Sequence, residues 1–160
     1  MPIRKTEERD APALAFIQVN SILTHFSPLV PAGIFDGLTV EEQTLDWQQF
    51  IQENRLILVF EDQDRVVGYA YGKVLDGQWG EVVSMHVLPE FQNQGIGKQL
   101  FAAATEALKG LGCSSIRLTT LEHNIGARRL YEKLSGALSG FVAFSDDAPE
   151  VREAVYVWPG

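Results

Sequence analysis

The residues best placed to do chemistry lie in the run VLPEFQNQGIGKQLFAAATEAL, where Gln92, Gly95 and Gly97 form Gln-x-x-Gly-x-Gly just ahead of Lys98. An apolar, strand-like segment precedes them and a long amphipathic helix follows. Glycine costs a helix backbone entropy, so two glycines at a helix start need a reason. The first N–H groups of a helix lack internal partners, and the helix dipole adds partial positive charge there. Glycines would let an anionic ligand approach that backbone closely, which makes Gln92 to Lys98 a candidate pyrophosphate seat. The alternative is that the glycines only relieve a tight strand-to-helix turn. Spacing alone leaves both readings open.

Two better-known phosphate loops do not fit. A P-loop places glycine five positions before Gly-Lys and serine or threonine after it; here those positions hold Gln92 and Gln99. A dinucleotide fingerprint needs a third glycine three positions after the second, and position 100 is Leu. The other reactive side chains are scattered. Cys113 is the single cysteine, and the histidines are His25, His86 and His123, so neither a disulfide framework nor a metal site is expected. Cys113 reads as a small packing residue. His86, inside an apolar run, is either a base or a hydrogen-bonded core histidine, and His123 reads as a loop residue.

These residues need a scaffold, and apolar spacing with turn signals gives one. Ile3 to Thr6 reads as a strand. A helix then opens at Asp10, the expected cap, with Pro12 in its first turn. The stretch THFSPLVPAGIFDGL reads as a loop with short helical turns. A second helix starts at Thr39, with Glu42 at capping-box spacing, and carries Leu45 and Phe50 toward the core. RLILVFED and RVVGYAYGKVL flank a Gln63-Asp64 turn as an antiparallel hairpin. EVVSMHVL is the expected central strand, ended by Pro89. The glycine segment opens the longest helix, SIRLTT is a strand, Asn124 caps a short helix, and ALSGFVAF with EVREAVYVW close the chain. Antiparallel hairpins joined to strand-helix-strand units predict an α/β (α+β) fold, a single mixed sheet with helices on its faces, and the crossover through the long helix makes its two strands parallel.

The chain has 160 residues, 46% of them apolar, and reads as one domain over 1–160. No segment approaches the roughly 20 apolar residues of a membrane span, and the N-terminus has no apolar stretch behind its charges, so a soluble cytoplasmic protein without a membrane partner is expected. Net charge is −8, which disfavours a nucleic-acid partner and suits a cationic small molecule, the alternative being that the acidity only aids solubility.

The stretch GEVVSMHVLPEFQNQGIGKQLFAAATEAL resembles the acetyl-CoA-binding core of the GCN5-related N-acetyltransferase (GNAT) superfamily, with Gln92, Gly95 and Gly97 matching its Arg/Gln-x-x-Gly-x-Gly/Ala pattern. A second block, LEHNIGARRLYEKLSGALSG, is similar to the family's other signature through Asn124, Ala127, Leu130, Tyr131, Lys133 and Gly136. The resemblance runs from Ile3 to Trp158. It implies a seven-stranded, mostly antiparallel sheet with about four helices and a splayed central strand, and acetyl transfer by direct attack of a primary amine in a ternary complex.

The resemblance also assigns residues. Backbone of Met85, His86 and Val87 would line pantetheine and polarise the thioester carbonyl. Gln92, Asn93, Gln94, Gly95, Ile96, Gly97 and Lys98 would hold the pyrophosphate, with Asn124 and Ala127 against the pantetheine arm. Tyr131 would protonate the leaving thiolate. Glu81 matches a carboxylate some members use as general base, its alternative being a solvated strand-edge residue. The acceptor pocket would draw on His25, Phe26, Phe35, Asp36, Trp47, Trp79 and the loop around Asp146 and Asp147. Acetyl-CoA is the implied cosubstrate, with no metal. A small-molecule amine is the favoured acceptor; a protein or peptide acceptor, or a non-catalytic acyl-CoA sensor, are the rivals. The apolar closing strand ending VYVW suggests a homodimer.

Overall fold

A computed structural model describes residues 2–160. Strands β1 (Ile3–Lys5), β2 (Leu56–Asp62), β3 (Arg65–Val74), β4 (Trp79–Val87), β5 (Ser115–Leu121), β6 (Ala137–Ser145) and β7 (Ala148–Trp158) form one sheet in the order β1-β2-β3-β4-β5-β7-β6. Among the described residues β4 with β5 is the one parallel pairing. Helix α3 (Ile96–Gly110) connects them, and a crossover of that kind returns the chain in the same direction. The other helices are α1 (Ala11–Ser21), α2 (Val40–Gln52) and α4 (Ile125–Lys133).

Local chemistry explains most of these boundaries. Gln63 and Asp64 both have positive φ (49° and 63°) between the register partners Asp62 and Arg65, the backbone a two-residue hairpin turn requires. The Thr39 side chain accepts from the Glu42 amide at 3.2 Å and starts α2. Asp10 does not cap α1. It closes a helical turn over Glu8–Asp10 and lies buried, accepting from Arg4 at 2.8 and 3.0 Å and from the Glu7 amide at 2.7 Å. Burial alone would raise its carboxyl, but Arg4 and the amide outweigh that and hold it below the ordinary range. Leu45 points outward, 65% exposed. Trp47 sets the inward face of α2, and two residues along a helix turn a side chain by about 200°.

The sheet divides the core into two layers. A methyl group on Gly68 or Gly72 of β3 would meet Leu100 and Leu108 of α3, while Tyr69 between them packs against Trp47 of α2 at 5.0 Å between ring centroids. Strand alternation therefore sends one face to α3 and the other to α1 and α2. Gly80 belongs to the α3 face, beside Leu108 and Cys113. Tyr156 of β7 bonds to Arg128 and Glu132 of α4 and shares that face.

The sheet opens in its middle. β4 pairs with β5 only from Trp79–Ser115 to Glu81–Arg117, although β4 continues to Val87 and β5 to Leu121. The register of β4 against β3 shifts between Val82 and Ser84, so Val83 is an extra residue that bends the strand away from its neighbour. The expected splayed central strand is present. The closing strand is not an edge: β7 lies between β5 and β6 with Tyr156 fully buried, so VYVW is committed within the chain and β6 is the outer strand.

Candidate active site

Helix α3 begins at Gly95, whose φ of +82° is left-handed and whose position lacks any side-chain cap. An L residue with a Cβ strains in that conformation, so the turn itself requires Gly95. It does not require Gly97: a methyl group there would meet nothing nearer than Leu130 Cδ2 at 3.6 Å, an ordinary contact. The loop is held by its own amides, Gln92 Nε2 donating to Val87 O at 3.0 Å and Gln94 Nε2 to Glu90 O at 3.3 Å. Gln92, Asn93, Gly95, Gly97 and Lys98 line a cleft of about 430 Å³, whereas Ile96 turns into the core, 5% exposed. The open amides of the first turn of α3 therefore stand beside a cavity with a lysine next to it, an arrangement suited to phosphate oxygens.

The same cleft takes in Met85, His86 and Val87 from the unpaired half of β4, together with Asn124, Ala127 and Tyr131. Asn124 Oδ1 accepts from the Ala127 amide at 3.4 Å and starts α4. Tyr131 is 6% exposed, with its ring against Tyr156 and Trp158. Its hydroxyl has no hydrogen-bond partner among the described residues. Burial pushes its pKa up to about 12, so it is a neutral donor at neutral pH. Gly136 fixes this end: a methyl group there would lie 2.6 Å from Trp158 Cζ2 and 3.0 Å from Tyr131 O.

Across the gap the cleft reaches the opposite face of the sheet. His86 lies between Phe26 and Tyr69, with ring centroids at 5.7 and 5.6 Å. Burial, with His25 adding to it, lowers its pKa to about 4 and keeps it neutral. His25, Phe26, Ser84, Thr119 and Glu153 complete this wall. The other expected acceptor residues fall elsewhere. Trp47 is 2% exposed and donates to Gln18 at 2.8 Å, a core residue with no face on the cleft. Trp79 stands at the far, paired end of β4 beside Ser115. Phe35 packs on Phe144 at 6.1 Å and ties the first loop to the last hairpin. Glu81 pairs with Arg117 at 3.0 Å, and the cleft lining of β4 begins one residue later, at Val82.

Glu153 escaped the sequence reading. Its signal was a single acid at an alternating position of an apolar closing strand, sharing a face with Val151, Val155 and Val157. Burial pushes its carboxyl above the ordinary range, against the opposing hydrogen bond from Thr119 Oγ1 at 3.2 Å. No group of three or more potential metal ligands occurs among the described residues, and no helix there is long and apolar enough to cross a membrane.

The gap in the sheet thus joins the open amides at the start of α3 to the buried Tyr131 phenol in one cleft. Residues 20–137 match the acetyltransferase (GNAT) family, and the chain belongs to it. The chain is 27% identical over 128 residues to mycothiol acetyltransferase of Saccharopolyspora erythraea, spanning 80% of this chain and 40% of that protein. It is 30% identical over 96 residues to thialysine N-epsilon-acetyltransferase of Mus musculus, 55% of this chain and 56% of that one. The chain thus spans about two-fifths of the mycothiol acetyltransferase it matches. Among solved structures, an N-acetyltransferase of Staphylococcus aureus superposes with a TM-score of 0.79 at 19% identity, covering 98% of this chain and 96% of that one. A putative acetyltransferase of Salmonella typhimurium, solved with acetyl-CoA, superposes with a TM-score of 0.74 at 18% identity, covering 98% and 92%.

Proposed function

We propose that this protein is an acetyl-CoA-dependent N-acetyltransferase that transfers the acetyl group directly to a primary amine of a small molecule. The observation that carries the reading is one cleft that passes through the β4–β5 gap, with open helix amides and Tyr131 toward one face and a wall of Phe26, His86 and Glu153 toward the other. Acetyl-CoA would supply the activated thioester, and the residues present fit it. Gly97 is unexplained by the fold yet leaves room for a pyrophosphate against the backbone.

The chain's own groups divide the work. The open amides of α3 and Lys98 hold the diphosphate, which an acidic protein must do locally. The unpaired backbone of β4 between Val82 and Val87 offers N–H groups on the side β5 has vacated, the kind of fixed donor that stabilises charge developing on a carbonyl oxygen. Tyr131 donates its proton toward the departing sulfur. An ordinary thiol has a pKa of about 8.5, well below that of Tyr131, so the phenol keeps most of that proton and acts chiefly by a strong hydrogen bond.

A small acceptor is favoured over a peptide because Phe35 packs on Phe144 and joins the first loop to the last hairpin, where a peptide acceptor would call for an open groove. A coenzyme-release screen over small amines and N-terminal peptides, followed by two-substrate initial rates, tests the reading. Release with small amines and intersecting double-reciprocal lines support it; release with peptides alone, or parallel lines, overturns the acceptor class or the ternary complex respectively.

A further inference from the structure

We infer that Glu153 of β7 is the catalytic carboxylate that meets the acceptor amine and takes its proton, an assignment that rests on the acetyl-transfer reading of the cleft. Of the acids among the described residues it is the one that lines the cleft. It sits on the acceptor face: Ala154 and Tyr156 alternate toward α4, so Glu153 projects the other way, beside Thr119 of β5. There it shares a wall with His86 and Phe26. Unlike Glu81, Glu61 and Glu122, it has no ion-pair partner among the described residues. Thr119 orients one of its oxygens and leaves the other without a protein hydrogen bond.

Neighbouring groups narrow the choice. Arg117 is engaged by Glu81 at 3.0 Å, so that carboxylate is occupied and lies outside the lining. His86 is clamped between two aromatic rings and holds its proton only in acid. His25 faces the same space from the π-helical turn Ile22–Phe26 that continues α1.

A free alkylammonium, with a pKa of about 10.4, does not give its proton readily to a carboxylate near 4.3. The acceptor therefore reacts as its neutral fraction, its first proton lost to solvent: the nitrogen lone pair forms the C–N bond, the nitrogen becomes cationic and its N–H far more acidic, and that second proton passes to the Glu153 oxygen as the C–S bond breaks. The sulfur leaves with the bonding pair, met by the Tyr131 hydroxyl. Raised basicity of a partly buried carboxylate favours the transfer, and a single desolvated negative charge also draws an ammonium into the apolar wall.

The test uses the full chain with n-propylamine, a 1,4-diamine and a tripeptide as acceptors, following thiol release across pH 5–10 for wild type, Glu153→Gln and Glu153→Asp, with acetyl-CoA affinity measured separately. With kcat/KM expressed per neutral amine, Glu153→Gln is expected to bind acetyl-CoA within about twofold of wild type, lose about a hundredfold in rate, and lose the acid limb that remains in the normalised wild-type profile. Glu153→Asp is expected to recover part of the rate with the acid limb present. An unchanged rate in Glu153→Gln, or a loss that leaves the acid limb intact, overturns the inference while acetyl transfer stands. Absence of thiol release by wild type with every acceptor overturns both.

Discussion

Arg117 Nη1 lies 3.0 Å from Glu81 Oε2, and the two residues are register partners at the last rung of the parallel β4–β5 ladder. The ion pair therefore closes the sheet at the point where it starts to open. Breaking it should affect the gap as well as the charge. Arg117→Met is expected to lower stability by about 1 kcal/mol, as for a partly exposed pair, and to reduce turnover modestly. Thermal melts and steady-state rates check this; full activity with lowered stability would confine the pair to a structural role.

Tyr131→Phe should lower turnover about a hundredfold, the scale of one positioned proton donor, with acetyl-CoA affinity nearly unchanged. The phenol is buried against Tyr156 and Trp158, and phenylalanine preserves that packing. Isothermal titration alongside initial rates separates the two effects, and unchanged turnover would remove Tyr131 from the chemistry.

The two glycines of the loop should respond differently to alanine. Gly95→Ala forces a Cβ into φ +82° and is expected to cost about 1–2 kcal/mol. Gly97→Ala meets only Leu130 at 3.6 Å, so stability should hold or rise slightly while acetyl-CoA affinity falls at least tenfold. A Gly97→Ala protein that binds acetyl-CoA normally would show that no ligand needs the backbone bare at this position.

Gly136→Ala places a methyl group 2.6 Å from the Trp158 ring and 3.0 Å from the Tyr131 carbonyl. Overpacking of this kind costs about 1–3 kcal/mol, and the strain falls on the helix that aims Tyr131. Denaturant unfolding should show the loss, and turnover should drop with it.

His86 makes stability depend on pH in a defined direction. Its pKa falls from the ordinary 6.5 to about 4 on folding, through burial first and the nearby His25 second. The unfolded chain thus binds more protons between those values, so the contribution is complete above about pH 6.5 and is lost progressively as pH falls toward about 4. Melting temperatures of wild type and His86→Gln across pH 4–8 should converge toward the acid end; parallel curves would show that His86 does not titrate.

Much of the architecture was legible because it follows from local rules. The Gln63-Asp64 turn, the Thr39 and Asn124 caps and the strand-helix-strand crossover each act over a few residues, and each is present. What depends on the third dimension was not legible. Leu45 and Trp47 both looked apolar enough to face inward or line a pocket, but only packing against Tyr69 decides which one turns in. Asp10 had the look of a helix cap until Arg4, from the preceding strand, claimed it. Glu81 stood at a strand start in sequence, and its partner Arg117 is 36 residues away. Glu153 became visible only when β7 was seen to run inside the sheet, because its acid character carries no motif.

Acetyl transfer itself is tested most directly by stoichiometry. Wild-type protein with limiting acetyl-CoA and an excess of small primary amine should release one free thiol for each N-acetylated amine found by mass spectrometry, with no acetyl group left on the protein. No thiol release, or thiol release without acetylated amine, would contradict the account.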